Sequence, residues 1–328
     1  MELKKIEKKD DWNAFVMENG GQFLQSFEWG NLYSPDRILR LRVEKGGNKI
    51  LQALITKEKS VTFGNFYIPY GPIFNKEASL EEKKESFNFL LKKIKEMAAQ
   101  EKIVFLRIES YDALPEIKNL QYVISSRRIQ PKETMILDID RPENEIIMGF
   151  QKNNRYNIRL AEKKGVEIKM SDDYSEVFYK LIGKTKERQG FISHIEEHYK
   201  KLFNIADDYF KVKLFLAEYE KKIILAKITI SFGCRMTSLH TGSDYKFRAT
   251  KAPNLAHWKA LLFGRKVGCK IYDFWGLDEK KYPGVTGFKK SFGGQRITYP
   301  EGIDIIFKNN SYKAYILLRK LKYIFKNG

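Results

Sequence analysis

The order of helix and strand patterns is nearly the same in the two halves of this 328-residue chain. In each half, strand patterns come first, then a long helical pattern, then one short buried strand pattern. In the first half these patterns cover residues 38–44, 49–58, 61–68, 80–102 and 103–109. In the second half they cover residues 212–219, 222–232, 235–240, 253–267 and 270–275. This order excludes all-helical and all-β folds and predicts a duplicated α/β domain with mixed sheets.

Prolines between the two halves, from Pro131 to Pro142, mark the boundary between the domains. We therefore predict a first domain over residues 1–138 and a second domain over residues 139–295. The segment 296–328 ends in a helical pattern that has no strand partner of its own. We expect this segment to pack back on the first domain.

Charge restricts the partners of the chain more than its fold. The 60 Lys and Arg residues exceed the 41 Asp and Glu residues, and the net charge of +19 favours nucleic acid, phosphorylated metabolites or an acidic membrane face. Two cysteines and four histidines without a CxxC pair argue against a disulfide framework and a zinc site. No apolar run approaches the roughly 18 to 20 residues that span a bilayer, and the N-terminus is charged. We expect a cytoplasmic protein without a bound metal.

A basic stripe lies on the helix predicted over residues 143–164. Lys152, Arg155 and Arg159 are spaced three and four residues apart, so they share one helix face. Such a stripe can hold phosphates through charge-assisted hydrogen bonds. The same pattern is typical of a solvated helix face, and the residue types alone favour that interpretation.

A glycine-rich basic segment covers residues 284–294. Glycines at both ends allow close approach of the backbone to a ligand, and Lys289 and Lys290 supply charge. The spacing does not match a Walker A loop. A β-hairpin or a loop with basic tips explains the segment equally well.

Acidic residues end both buried strand patterns. Asp273 lies in the second half at a strand end, where open α/β sheets bind ligands, although it could equally cap the following turn. Arg107 and Glu109 alternate on one face in the first half and could simply pair with each other. No GxSxG motif is present, and His240 at a strand end is more typical of a structural residue.

Eight blocks, taken together, resemble motifs of the FemA/FemX family of aminoacyl-tRNA-dependent peptidoglycan bridge transferases. They are QSFEW at 25–29, YGP at 70–72, LRIE at 106–109, RYNIRLA at 155–161 with GV at 165–166, TKERQGF at 185–191, PNL at 253–255 with WK at 258–259, YDFWG at 272–276, and GFK at 287–289 with FGG at 292–294. Their order and spacing over about 270 residues make the set specific.

The resemblance implies a tandem of N-acetyltransferase-like (GNAT) domains. It implies an enzyme that takes an amino acid from aminoacyl-tRNA, its co-substrate, and adds it to the stem-peptide amine of lipid II or of UDP-MurNAc-pentapeptide. Some members carry a coiled-coil arm in the second domain, but the interval 195–209 is too short for one, so the chain looks like the armless FemX kind. We expect a monomer that needs no other cofactor and contacts the inner membrane face peripherally.

The same resemblance supplies candidate site residues. It places Phe288 and Lys289 at the reacting centre, where we expect Phe288 to pack on the terminal adenosine and Lys289 to stabilise the oxyanion or the leaving group. Asp273 is the candidate base, and substrate-assisted transfer is the alternative. The candidate substrate-binding residues are Lys152, Arg155, Arg159, Trp29, Tyr33, Arg37, Tyr70, Arg107 and Trp275.

Two positions depart from the family pattern. The family often carries a Lys four residues after the Trp of the first block, where it contacts precursor phosphate. This chain has Tyr33 at that position, and Arg37 is the candidate replacement. Residues 240–243, HTGS, stand where the family commonly carries a Tyr-rich strand end.

Two other functions fit the residues. An acyl-CoA-dependent N-acyltransferase could use the same fold, but it needs a phosphate-cradling loop at a helix N-terminus, and the expected Gln/Arg-x-x-Gly-x-Gly/Ala pattern is missing. A non-catalytic RNA- or membrane-binding module would explain the positive charge, and it predicts tRNA binding that is indifferent to charging and to Lys289.

Overall fold

The computed structural model describes residues 1–59, 63–191 and 193–327. Its strands are β1 (Glu2–Lys5), β2 (Ile38–Lys45), β3 (Asn48–Lys59), β4 (Gly64–Pro69), β5 (Ile73–Phe74), β6 (Ile103–Glu109), β7 (Tyr122–Ile124), β8 (Glu133–Asp138), β9 (Glu167–Ser171), β10 (Phe210–Tyr219), β11 (Lys222–Phe232), β12 (Arg235–Ser243), β13 (Ile271–Asp273), β14 (Gln295–Thr298) and β15 (Ile303–Ile306). Its α-helices are α1 (Lys9–Glu18), α2 (Phe27–Gly30), α3 (Leu80–Gln100), α4 (Glu143–Met148), α5 (Lys152–Lys163), α6 (Glu176–Gln189), α7 (Glu196–Asn204), α8 (Ala252–Lys266), α9 (Pro283–Lys290) and α10 (Asn309–Asn327). The first two residues of the strand predicted over 61–68 lie outside the described residues.

The chain divides into two compact units. Unit 1 comprises Met1–Gln130 and the chain from Tyr299 onward, and unit 2 comprises Pro131–Thr298. The predicted boundary at residue 138 lies eight residues later, because β8 pairs with β13 and β14 inside unit 2. Strand pairing therefore sets the division between the units.

Unit 1 is a mixed sheet covered by a long helix. The strand order is β1-β2-β3-β4-β6-β15-β7, with β5 beside β3, and β4 and β6 run parallel. Helix α3 begins with a capping box, in which the Ser79 hydroxyl accepts from the Glu82 backbone N–H and the Glu82 carboxylate accepts from the Ser79 N–H. Its buried face carries apolar residues at helical spacing: Phe87, Leu90, Leu91, Ile94 and Ala98. Each fully buried Leu, Ile or Phe contributes about 1.5–3 kcal/mol, so this face anchors the helix to the sheet.

The C-terminal part of the chain completes the sheet of unit 1. Strand β15 pairs with β6, and the Asp304 carboxylate accepts two hydrogen bonds from the Arg107 guanidinium, both at 2.8 Å. The Tyr312 hydroxyl of α10 donates to the same carboxylate at 2.8 Å. The suggested pairing of Arg107 with Glu109 is therefore wrong: Glu109 instead accepts from Tyr67 and from backbone N–H groups. Local sequence patterns could not show the pair of Arg107 and Asp304, because the two residues are 197 positions apart.

Unit 2 contains the second mixed sheet. Its strand order is β14-β8-β13-β12-β11-β10-β9, and β12 and β13 run parallel. Helices α5 and α8 contribute Ile158, Ala161, Leu255 and Leu261 to the buried core of this unit. The predicted fold class, two α/β domains with mixed sheets, is confirmed.

Two details of unit 2 bear on the predictions. The single helix expected over residues 143–164 is two helices, α4 and α5, because the chain is extended at Gln151, the residue that precedes α5. The Arg155 guanidinium donates to the carbonyls of Met148 and Phe150 and so stabilises the end of α4. Helices α6 and α7 are 14 and 9 residues long, which is too short for a long coiled-coil arm.

Candidate functional site

A cleft of about 680 Å³ opens in unit 2. Side chains from α5, α6, β12, α8 and α9 form its walls. The lining of the cleft includes Asn153, Asn154, Asn157, Arg188, Ser238, Tyr245, Arg248, Lys251, His257, Phe274, Phe288 and Lys289. Its position on one face of a mixed sheet, between helices, is typical of ligand pockets.

Helix α9 places Phe288 and Lys289 in this cleft. The part of the glycine-rich segment up to Lys290 is helical, where a hairpin or loop was the alternative. Pro283 lies in the first turn of α9, where a backbone N–H has no helical partner and its absence costs nothing. The Lys289 ammonium donates to the carbonyls of Trp275 and Gly276, the latter at 2.6 Å. Burial lowers the pKa of Lys289 to about 8, against the opposing effect of Asp273. Lys289 is therefore mostly protonated at neutral pH and brings a positive charge into the cleft.

Asp273 shapes the turn that holds Lys289. The Asp273 carboxylate is fully buried and accepts hydrogen bonds from the Trp275 N–H at 2.8 Å, from Arg235 at 3.0 Å and from Thr134. It fixes the left-handed conformation of Trp275, whose φ is 56°, and thereby aims the Trp275 carbonyl at Lys289. Asp273 is not among the residues that line the cleft, so its observed role is to cap the turn.

Aromatic rings surround a histidine at the floor of the cleft. The His257 ring lies 5.3 Å from Phe288 and stacks on Phe274 at 5.3 Å, measured between ring centroids. Behind His257 lies Lys227 of β11, which is fully buried. The sequence interpretation gave no role to His257 or Lys227, although one lysine inside the apolar run Ile224–Ile230 was a usable signal.

Cationic side chains form the rim of the cleft. The guanidinium groups of Arg188 and Arg248 lie 4.9 and 4.8 Å from the centroid of the Tyr245 ring, and Lys251 lies nearby on the same wall. Arginines flanking an exposed aromatic ring suit a ligand that combines phosphate with a stacking base. Sequence reasoning placed Arg188 in a motif but assigned it no contact.

Helix α5 presents amides to the cleft, not its basic stripe. Asn153, Asn154 and Asn157 line the cleft, and the Asn154 side-chain oxygen accepts from Asn254 at 2.8 Å. Lys152 and Arg159 are exposed outside the lining. The bonds of Arg155 to α4 assign it a structural role within the described residues.

The other predicted site residues lie in unit 1. Trp29 is buried and packs edge-on against Phe23, and Tyr70 is buried against Tyr299. Burial, with the nearby Glu58 carboxylate, raises the pKa of Tyr33 to about 12. Arg37 is partly exposed and donates to the Lys57 carbonyl at 3.0 Å. The structure therefore groups Phe288, Lys289 and Trp275 in unit 2 and these side chains, with Arg107, in unit 1.

Among residues 1–59, 63–191 and 193–327, no group of three or more His, Cys, Asp or Glu is arranged to hold a metal ion. In the same part of the chain no helix is both long and apolar enough to cross a membrane.

Comparison with known sequences points to one family. The model of the FemAB family matches residues 120–222 and 208–320. The lipid II:glycine glycyltransferase of Staphylococcus aureus (strain MRSA252) is 28% identical over 236 residues, which cover 66% of this chain and 55% of that protein. The protein of the same name from strain N315 is 27% identical over the same coverage. This chain therefore matches about half the length of these curated relatives.

Comparison with solved structures agrees on the fold. The crystal structure of FemX matches with a TM-score of 0.80 at 20% identity and covers 96% of this chain and 99% of that one. L-PGS from Bacillus licheniformis matches with a TM-score of 0.56 at 16% identity, covering 97% and 98%. A tandem GNAT protein from the clavulanic acid biosynthesis pathway matches with a TM-score of 0.56 at 10% identity, covering 93% and 96%. At these identities the likeness shows the fold, which is a tandem of GNAT-like domains.

Proposed function

The chain belongs to the FemAB family, and from that membership we propose that it is an aminoacyltransferase. It moves an amino acid from aminoacyl-tRNA to the stem-peptide amine of a peptidoglycan precursor. The observation that carries the proposal is the cleft of unit 2, which lies within the matched residues and holds a cationic Lys289 between two backbone carbonyls. The relatives that this chain matches are named for the transfer of glycine to lipid II.

The proposed reaction needs charge stabilisation more than a strong nucleophile. The amine attacks the ester carbonyl, and the developing oxyanion gains a hydrogen bond from Lys289. Within the described residues two backbone carbonyls accept from Lys289, which leaves its third N–H for a ligand. A preorganised donor of this kind accelerates acyl transfer by about 10²–10³-fold. Phe288, which faces the same cleft, packs on the terminal adenosine of the tRNA.

The rim of the cleft supports a nucleic-acid donor. Arg188, Arg248 and Lys251 supply positive charge for phosphates near the 3′ end, and Tyr245 supplies a ring for stacking. Lys152 and Arg159, exposed on α5 outside the cleft, contact the acceptor stem. Affinity for tRNA then falls steeply with salt, since each neutralised phosphate releases counterions.

We propose lipid II as the acceptor, following the names of the relatives. Tyr33 and Arg37 of unit 1 are the candidate contacts for precursor phosphate, because both are partly exposed. Arg107 is a poor candidate, since Asp304 occupies both arms of its guanidinium and it is buried.

Helix α10 supports contact with a membrane that contains this acceptor. Leu317, Leu318 and Leu321 are 59, 52 and 41% exposed on the face opposite to the packed Tyr312. Over residues 309–327 the sequence has five Lys or Arg and no Asp or Glu. An exposed leucine face on a positively charged helix is complementary to an anionic bilayer, where the leucines enter the headgroup boundary.

Vesicle sedimentation tests this membrane contact. We expect binding to vesicles that contain phosphatidylglycerol and little binding to pure phosphatidylcholine vesicles. The triple variant Leu317→Gln, Leu318→Gln, Leu321→Gln should lose binding at least tenfold. Leu80→Gln, which removes a leucine that is 85% exposed on α3, is the matched control. Equal binding by the triple variant and the wild type would refute the contact.

A transfer assay tests the function itself. Labelled amino acids on a pool of charged tRNAs are offered with lipid II and, in parallel, with UDP-MurNAc-pentapeptide. Label should reach lipid II, and Lys289→Ala should lose transfer while keeping tRNA affinity. Tight tRNA binding without transfer, indifferent to Lys289, would instead support the non-catalytic module.

A further inference from the structure

A fully buried lysine lies beneath the floor of the cleft. Lys227 projects from the middle of β11 and is 0% exposed. Among the described residues, no carboxylate forms an ion pair with it. A buried ammonium without a counter-ion costs several kcal/mol, so such a group is kept neutral or held by special partners.

The partners of Lys227 form a connected unit. Its Nζ lies 3.1 Å from Nε2 and 3.3 Å from Nδ1 of His257, and it donates to the Ser238 hydroxyl. The Tyr272 hydroxyl lies 3.1 Å from Nδ1 of His257. Three strands and α8 therefore fix the imidazole in place.

The charges that act on Lys227 and His257 are basic, whereas the Asp273 carboxylate acts on Tyr272 and on Lys289. Burial, followed by the Lys289 charge, lowers the pKa of Lys227 well below its ordinary value. Burial, then Lys227 and Lys289, lowers the pKa of His257 in the same direction. Lys289 of α9, with its pKa of about 8, holds a positive charge at neutral pH, and that charge disfavours protonation of Lys227 and of His257.

Only part of this unit reaches the cleft. His257 and Ser238 belong to the cleft wall beside Phe288 and Lys289, whereas Lys227 and Tyr272 are not among the lining residues. A ligand bound against Lys289 can therefore touch His257 and Ser238, and Lys227 can act only through these two residues.

We infer that His257 accepts the proton released by the attacking amine, and that Lys227 is a positioning residue that keeps this imidazole neutral and oriented. The inference rests on the proposed aminoacyl transfer. The amine nitrogen bonds to the ester carbonyl carbon, and the bond from that carbon to the ribose oxygen breaks. The proton that leaves the nitrogen is held on His257 and is then given to the ribose oxygen, which departs as a hydroxyl. No other reactant is required.

The test compares single-turnover transfer rates of four variants with the wild type across a pH series. His257→Gln should lower kcat about 100-fold, with the acceptor KM within about threefold, since a positioned acid–base group typically contributes 10²–10⁴-fold. Its control, His194→Gln, changes a histidine outside the cleft and should keep the wild-type rate. Lys222→Met is the control for Lys227→Met on the same strand.

The pH dependence of kcat in Lys227→Met distinguishes a positioning role from a purely structural one. Without the neighbouring amine, the low-pH limb of kcat should move upward by at least one pH unit, toward the ordinary imidazole value of about 6.5. The apolar isostere should unfold no earlier than the wild type in urea, because it removes a buried amine that has no counter-ion among the described residues. If His257→Gln keeps the wild-type kcat while Lys289→Ala loses transfer, the inference fails and the proposed function stands. An unmoved low-pH limb in Lys227→Met would also overturn it, and a wild type that transfers nothing would overturn both.

Discussion

Replacing Lys289 by methionine removes one charge from the cleft and keeps the length of the side chain. Its ammonium donates to two backbone carbonyls and has no carboxylate ion pair among the described residues, so its remaining N–H is preorganised for an oxyanion. We expect Lys289→Met to lower kcat for transfer by about 10²–10³-fold, the usual cost of one oxyanion donor.

The pKa of Lys289 adds a signature that depends on pH. With a pKa of about 8, the side chain is roughly 90% protonated at pH 7 and roughly 10% protonated at pH 9. The ratio of the wild-type rate to the Lys289→Met rate should therefore fall several-fold to tenfold between these pH values. Taking this ratio cancels titration of the acceptor amine, which affects both proteins equally.

The assay is single-turnover transfer to lipid II, corrected for spontaneous hydrolysis of the ester. Lys290→Met is the matched control, since Lys290 lies on the same helix and pairs with Glu279 at the surface. It should transfer at close to the wild-type rate. A Lys289→Met rate within twofold of the wild type, or a rate ratio that stays constant with pH, would refute the role given to this lysine.

Three further changes test the fold. Arg107→Met should lower the free energy of unfolding in urea by about 3–5 kcal/mol, because it strands the buried Asp304 carboxylate; Arg37→Met, at a partly exposed pair, should cost less than about 1 kcal/mol. Arg155→Ala should cost about 1–2 kcal/mol through its bonds to the end of α4, and an equal loss in Arg159→Ala on the exposed face would contradict this. Burial, with nearby histidines, lowers the pKa of His198 to about 4 and that of His240 to about 3. The unfolded chain binds protons on these histidines near pH 6.5, whereas the folded chain binds them only near pH 4 and pH 3. The stability that the neutral histidines contribute is therefore complete above pH 6.5 and is lost as the pH falls toward 4 and 3. The wild type should lose more Tm between pH 7 and pH 5 than His198→Gln does, and an unchanged wild-type Tm would contradict this.

Periodicity predicts the elements better than it predicts their partners. Helices α3 and α8 follow directly from apolar spacing, because each must bury one face on a sheet. The break between α4 and α5 is invisible to spacing, since it depends on extended backbone at Gln151 and on a cap from Arg155. Pairing between Arg107 and Asp304 joins residues 197 positions apart, and no local pattern can show it.

The candidate site shows the same limit. Phe288 and Lys289, which the motifs singled out, line the cleft, but helical spacing cannot tell which face of α5 meets it. The basic stripe of α5 is the predicted substrate-binding face, whereas Asn153 and Asn157 of the same helix line the cleft. Asp273 looked like a base at a strand end, yet its buried carboxylate already accepts three hydrogen bonds. Only the packed structure shows which face of α5 lines the cleft and that Asp273 caps a turn.

The most direct test of the account is the mass of lipid II after incubation with the wild-type protein and charged tRNA. We predict that lipid II gains one amino-acid residue, that deacylated tRNA with the free amino acid gives no product, and that the gain disappears with Lys289→Ala. An unchanged mass with every charged tRNA, together with acetyl transfer from acetyl-CoA to an amine, would contradict the account and favour an acyl-CoA-dependent enzyme.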